Sequence, residues 1–578
     1  MIVQSVMQQI ICSDAQFELP ELDHAIIEEI TTLQTNAVEH IAKANENTYK
    51  DMSSSMEQEP ERPYWQVVVR FSDGDPMNPH NWTPTKKAMV VVAGALLCIT
   101  STMGSALTAN LGPYLAASFG LTTGVELVLP VCVYLVGYIF GPLLFAPLSE
   151  ELGRRGILGT CAFGFMMAMA GCITTPDGNE YWARFLGFRF LGGVFGSPPL
   201  SIVGGVIADV YHKPETRGTM ITIWSATAFL GPLLAPILSG FSGPVFGWRW
   251  TFGIALAWAA ASFVSALFFL PETLATKILR DRTEKLNQGL RDDSGRYICL
   301  ADLGEPTTLS RMIVTSLCRP FRLFFREMIV FLACIYMAFV YAVLYMLLEI
   351  FPAIFQGVYG FTPGLSGVAF AVSLGLGTVS VSWLSFCFDG VSRRLSAKYP
   401  KRRPEYLRLP IACLGGPVFV VSLLWLGWAS REDVHWVVPL MAVVPFGLAY
   451  QVIFAAMLNY LTDAYGVYTA SGLAACGTTR SIAGALIPLA VPDLLQALGI
   501  AWSCTLLAGI SAALAIVPFG FIVYGPSIRH RSRFAAKYPR ISVVPSENPG
   551  MPGIALGVIP ENEPVAEGDV ELTRISSL

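Results

Sequence analysis

FAPLSEELGRRG, residues 145–156, closes an apolar run that begins near Leu127. Two carboxylates, a glycine and two arginines follow the run without a transition. The run is about twenty residues long, the length a helix needs to cross the hydrocarbon core of a bilayer, so its charged end marks the point where a spanning helix meets water. Working outward, twelve such runs occur, at about 88–108, 126–147, 157–174, 185–206, 219–239 and 251–271, then 328–352, 364–386, 409–428, 433–456, 468–491 and 501–524. The reading is an all-α membrane protein of twelve transmembrane helices.

Composition agrees. The chain is 53% hydrophobic and only 14% charged, with a mean hydropathy of +0.54, far from the balance of a soluble globular protein. A formal charge of -4 without a dense basic face gives no reason to expect nucleic acid as a partner. The twelve cysteines are scattered singly, without a CxxC pair or histidines at ligand spacing, so no metal and no cofactor is expected. The start MIVQSVMQQIICSDAQ lacks the basic region and apolar stretch of a signal peptide, which leaves the first span to direct insertion.

Polar segments divide the chain. Residues 1–87 form an acidic tail, 88–271 a first six-helix bundle, 272–327 a charged central loop, 328–525 a second six-helix bundle and 526–578 a second tail. Lys and Arg accumulate in the loops on one side, at Arg154, Arg155, Lys213, Arg217, the cluster Arg393 to Arg408 and Arg529 to Arg540, with Arg249 and Arg431 as exceptions. The positive-inside rule then places both termini and the central loop in the cytoplasm. The sequon at Asn81 falls on that side and is expected to stay unglycosylated. A weak repeat supports two halves: FDGVSRR sets Asp389, Arg393 and Arg394 after the eighth span at the spacing of Glu150, Arg154 and Arg155 after the second. Two six-helix repeats with a substrate path between them is a known transporter plan.

These features together resemble the major facilitator superfamily, whose 2-3 loop motif reads G-x-L-A-D-R-x-G-R-R. Glu150 takes the acidic place, Gly153 the glycine, and Arg154 and Arg155 the basic pair, while Ala146 and Glu151 depart from the pattern. An acid four residues before arginines at a helix end can form an ionic latch whose strength differs between inward-open and outward-open states. The plainer alternative is that the arginines obey the positive-inside rule and the acids are solvated. RFLGGVFGSPPLSIVGGVIADVY (189–211) looks like the fourth-span motif of the fungal twelve-span drug:proton antiporters, with Arg189 at the motif arginine. GPLLAPILSGF (231–241) looks like their fifth-span motif, in which Gly231, Pro232, Pro236 and Gly240 let helices bend and approach closely. FLPET (269–273), DPMNPHNW (75–82) and YGPSIRHRSRFA (524–535) complete the likeness. It implies a plasma-membrane exporter of small lipophilic organic molecules, working as a single chain and exchanging its substrate for protons. No phosphate loop of the form G-x-x-x-x-G-K-[ST] occurs, which argues against ATP as the energy source.

Ionisable residues within spans are costly and are candidates for function. As the motif arginine, Arg189 would face the central cavity and act on a carboxylate there; the alternative is an interfacial arginine that snorkels outward. Glu349, in YMLLEIFPAIF before Pro352, is the candidate proton site, or else a carboxylate already at the outer interface. Pro352 is expected to break the helix there and open backbone carbonyls. Tyr341 and Tyr345 share a face with Glu349 at i, i+4, i+8, and Arg480 in the eleventh span needs a partner that sequence alone does not name. Glu126 is expected to stabilise the start of the second span. Polyamine or nutrient transport and a receptor on the same fold are competing readings. An enzyme is not expected, since no Ser-His-Asp arrangement appears and all six histidines lie outside span interiors.

Overall fold

The computed structural model describes residues 65–72, 74–212, 216–217, 220, 223–224, 227, 229–288, 295–299, 309–378, 380, 405–465, 469–532, 541–544 and 555–558. Asp389, Arg393 and Arg394 lie outside them. The chain divides into a small unit, Met1–Val67 with Asn287–Tyr297, and a large one, Val68–Leu286 with Ile298–Leu578. The small unit's described residues fall mainly in two strands, Trp65–Val69 and Gly295–Cys299, which are neighbours in a two-stranded sheet. The large unit holds the spans.

Nine helices among the described residues are long and apolar enough to cross a membrane, and two shorter apolar helices, Leu230–Phe246 and Pro363–Thr378, fall at the fifth and eighth places. The last of the nine, Ser471–Gly525, is 55 residues long, more than twice what one crossing of ~20 residues requires. It is interrupted at Gly499, where φ is 69° and ψ 178°. This backbone is open to glycine and closed to other residues, so the stretch divides there into an eleventh and a twelfth span. The inventory is consistent with twelve.

Local sequence sets the helix ends. The second span, Gly124–Leu152, opens with a capping box in which Thr123 Oγ1 accepts from the Glu126 amide and the Glu126 carboxylate accepts from the Thr123 amide. It stops at Gly153, whose φ of 101° no side-chain-bearing residue holds comfortably. The third span, Arg154–Ile173, starts on the next residue. The fourth is two helices, Trp182–Gly196 and Pro198–Val210, joined at Ser197. The seventh, Met328–Pro352, does not open at its proline: the chain runs on through a π-helical turn, Ala353–Val358. A proline at the last position of an α-helix costs little when the next turn widens to take up the carbonyls it leaves.

Packing repeats between the halves. A Cβ added at Gly137 would strike the Phe190 carbonyl, and one at Gly193 the Tyr134 carbonyl, so the second and fourth spans meet backbone to backbone. Six spans later, a Cβ at Gly377 would strike the Val444 carbonyl, and Gly447 approaches the Leu374 carbonyl, joining the eighth and tenth spans in the same way. Small residues permit this approach where lipid supplies no hydrophobic drive between helices. Arg249, one of the two exceptions to the charge rule, pairs with Asp177 at 3.0 Å. That hydrogen-bonded guanidinium holds the Asp177 carboxyl below the usual carboxylate range.

Candidate functional site

The first span carries the polar run TSTMGS, residues 100–105, and its helix ends at Ala106. The last carbonyls of a helix lack intrahelical donors and carry the negative end of its dipole. Arg189, fully buried, fills that place. Its Nη1 donates to the Gly104 carbonyl at 2.8 Å, Nη2 to the Ser105 carbonyl at 3.4 Å and Nε to the Pro130 carbonyl of the second span at 3.1 Å. Its guanidinium also lies 4.6 Å from the Tyr134 ring centroid. The structure gives Arg189 no carboxylate partner among the described residues. The sequence reading aims it at a cavity carboxylate, whereas here it ties together three spans of its own half, because two carbonyls at the end of the first helix and the Pro130 carbonyl of the second span already accept from its donors.

Ser105 continues the chain of contacts into the other half. Its hydroxyl meets Tyr345 Oη at 2.8 Å, and Tyr345 Oη meets Tyr341 Oη at 3.2 Å. The Arg480 guanidinium lies 5.0 Å from the Tyr341 ring centroid and 5.5 Å from that of Phe454. Tyr450 stacks on Phe454 at 4.7 Å, and Phe229 of the fifth-span region meets Tyr450 edge-on at 5.0 Å. Three buried polar atoms here lack a hydrogen-bond partner: Arg480 Nε, Tyr450 Oη and Gln451 Oε1. Tyr341, Tyr345 and Arg480 are thus brought together. Glu349 lies one turn beyond Tyr345, partly buried. Among the described residues it forms no hydrogen bond or ion pair.

Sequence reasoning missed Ser105, Tyr450 and Phe454. The signal for Ser105 was present, since four hydroxyl residues within one span, Thr100, Ser101, Thr102 and Ser105, are more than packing needs. Tyr450 and Phe454 carried no such signal among the many aromatic residues of the spans.

Two further groups of residues border the site. In the fifth-span motif, a Cβ at Gly231 would strike the first span at Thr102 and Met103, and one at Gly240 would strike the Pro363 carbonyl of the eighth span. In return, a Cβ at Gly367 would strike the Pro236 carbonyl; Pro232 and Pro236 are buried between them. Close by, Gln356 Nε2 donates to Asn110 Oδ1 at 3.0 Å, and Asn110 Nδ2 to the Pro236 carbonyl at 3.0 Å. The halves therefore meet along the fifth and eighth spans, where Gly240 approaches Pro363 and Gly367 approaches Pro236.

At the other end, Arg154 does not pair with Glu150. Its Nε donates to Asp209 Oδ2 at 3.2 Å and its Nη1 to Ser149 Oγ at 3.0 Å. Glu150 is exposed and takes no part. The reason is Gly153: its φ of 101° breaks the helix between the two residues, so the i, i+4 geometry that would join them is lost. Glu272 of FLPET sits instead at the start of the third span, accepting from the Arg154 amide at 3.0 Å, the Arg155 amide at 3.1 Å, and the Thr273 and Leu274 amides at 3.0 and 2.9 Å. A carboxylate at a helix N-terminus meets both unpaired amides and the positive end of the dipole. Arg280 pairs with Glu151 at 3.6 Å, and Arg282 with Asp75 of DPMNPHNW at 2.7 Å. The Asp75 carboxyl is held below its usual range by the Met77 amide and by Arg282.

Comparison with known proteins completes the picture. The family model of the Major Facilitator Superfamily matches residues 93–488. A protein named MFS-type efflux pump MFS2, from Trichophyton rubrum, is 34% identical over 472 residues, covering 81% of this chain and 78% of its own. The major facilitator superfamily multidrug transporter mdrA of Aspergillus fumigatus is 34% identical over 491 residues, covering 85% and 78%. Among solved structures, the partially occluded inward-open conformation of the xylose transporter XylE from E. coli superposes with a TM-score of 0.56 at 16% identity, over 76% of this chain and 98% of that one.

Proposed function

The chain belongs to the major facilitator superfamily, and from that premise we propose that it exports small lipophilic organic compounds in exchange for protons, by alternating access of one central site to the two sides of the plasma membrane. Relatives named as efflux pumps support the direction of transport. The apolar, aromatic surroundings of Tyr341, Tyr450 and Phe454 support a lipophilic substrate, with the Arg480 and Tyr450 donors available to orient it. The tight seam of Gly240 on Pro363 supports a conformation closed on the outer side, and the charge pattern of the loops supports cytoplasmic termini. In the alternate conformation the 2-3 loop is free to exchange partners, and a latch through Glu150, Arg154 and Arg155 belongs to that state.

One observation carries the proton reading. Glu349 is a carboxylate within a span that no cation neutralises among the described residues, so it can gain and lose a proton without breaking an ion pair. A group of this kind, one turn from the Ser105–Tyr345 link between the halves, can load on one side and unload on the other. The test is Glu349→Gln in reconstituted vesicles, with efflux measured with and without an imposed pH difference. The variant is expected to lose at least about tenfold of the proton-driven rate, as for removal of an essential proton carrier, while substrate exchange without a gradient persists. An unchanged response to the pH difference moves the coupling site elsewhere.

A further inference from the structure

The helix Leu309–Arg326, LSRMIVTSLCRPFRLFFR, has no part in the site described above. It carries four arginines and no acid. It ends one residue before the seventh span, and the residue between, Glu327, has extended backbone at φ -109° and ψ 109°, so the helix turns a corner rather than prolonging the span. Glu327 is buried and accepts from Tyr465 Oη at 3.2 Å, which fixes that corner. The helix packs against the second, seventh and eleventh spans.

The surface of its last turns, from Cys318 to Arg326, is divided into three sectors. At one residue per 100°, Arg319, Arg322 and Arg326 fall within an arc of about 60°, and all three are exposed. To one side of this stripe lie Leu323 and Pro320, buried against the bundle. To the other side lie Phe321 and Phe325, exposed to 44% and 76%. The apolar surface runs on past the corner: Met328 and Phe331 at the start of the seventh span are also exposed, and Phe324 meets Phe331 at 5.1 Å. A basic stripe beside exposed aromatic rings, continuous with the lipid-facing side of a spanning helix, has the composition of a segment lying in the membrane interface.

We propose that the helix Leu309–Arg326 is a binding site for anionic phospholipid, in which Phe321 and Phe325 enter the acyl boundary and Arg319, Arg322 and Arg326 hold the phosphate-bearing headgroups. Free phosphate would satisfy the arginines but leave the rings in water, so the ligand is the lipid surface. Planar guanidinium groups suit phosphate oxygens, which can accept two hydrogen bonds from one arginine. The site spans residues packed against both halves, so its occupancy bears on the seam between them.

Cys318 lies beside Phe325 on this helix and is the exposed cysteine among the described residues, which gives a direct probe. The full chain, with Cys12 and Cys387 replaced by serine, is labelled at Cys318 with a fluorophore and reconstituted in brominated phosphatidylcholine, with or without phosphatidylserine. Quenching by the brominated chains is expected to rise several-fold with phosphatidylserine, to weaken as salt is added, and to fall to the neutral-lipid level in R319Q/R322Q/R326Q. The triple lysine variant is expected to keep most of the effect. Equal quenching in neutral and anionic vesicles, or quenching by anionic vesicles that salt leaves unchanged, overturns the proposal. Should the glutamine variant fail to fold, the salt titration on the lysine variant decides the same question. The readout is membrane proximity and not transport, so its failure is distinct from failure of the exporter reading.

Discussion

Arg189 in the first half and Arg480 in the second both sit within spans, and their surroundings differ in kind. Arg189 is fully buried and divides its donors among the carbonyls of Gly104, Ser105 and Pro130. Arg480 rests against the rings of Tyr341 and Phe454, and its Nε is buried without a partner. A buried cation whose hydrogen bonds are met by helix ends holds helices together. One held by ring faces keeps donors in reserve, at a cost that folding alone does not explain. The contrast is between a cation that builds the first half and one whose Nε the second half leaves unused, as the proposed substrate site requires.

The largest effect expected is therefore on folding. Arg189→Met strips the donors from the Gly104 and Ser105 carbonyls at the end of the first helix, at about 1–3 kcal/mol for each buried group left unsatisfied, and should reduce the yield of monodisperse protein and lower Tm. Arg480→Met should leave both near normal while lowering transport by about tenfold, the effect of losing about 1.4 kcal/mol of interaction with the transported ligand. If Arg480→Met lowers Tm as much as Arg189→Met does, the two arginines are alike and the contrast fails.

Tyr345→Phe sharpens the same contrast by cutting the bond to Ser105 that links the halves. One hydroxyl link is worth about 0.5–1.5 kcal/mol, so a change of a few-fold in transport rate is expected, with little change in Tm. The smallest effect belongs to the exposed pair of Arg249 and Asp177, more than half exposed at the acid. Asp177→Asn should shift Tm by no more than about 0.5 kcal/mol permits. A carboxyl whose pKa is lowered by folding contributes above its unfolded value near 4, and the contribution is lost as pH falls through the folded value. Tm of the wild-type and variant proteins should thus differ equally at pH 6 and pH 8 and converge only in acid; a difference that grows between those two values assigns the effect to another group.

Much of the fold was legible in the chain because it depends on length and composition. A run of about twenty apolar residues is a span wherever it falls, whereas the helix breaks at Gly153 and Gly499 came to light only in the backbone. The halves could be read from the polar interval between them. Of the site, the sequence supplied the charges and hydroxyl-bearing rings, Arg189, Tyr341, Tyr345, Glu349 and Arg480, since such residues stand out in an apolar run. It named few of their partners correctly. Glu150 lay four residues from Arg154 and was the natural neighbour, yet Asp209 and Glu272, distant in the chain, hold Arg154 once a glycine breaks the helix.

What the sequence by itself determined is the fold class, a chain of apolar helices of bilayer-crossing length, because the cost of burying polar groups in hydrocarbon arises residue by residue and locally. Only the tertiary structure decided that Arg189 closes the first helix, that Ser105 reaches Tyr345, and that Arg480 meets rings from two spans. Those outcomes depend on which helix faces press together, and packing of small residues such as Gly137, Gly193, Gly240 and Gly367 sets that from chain segments far apart, beyond the reach of any local pattern.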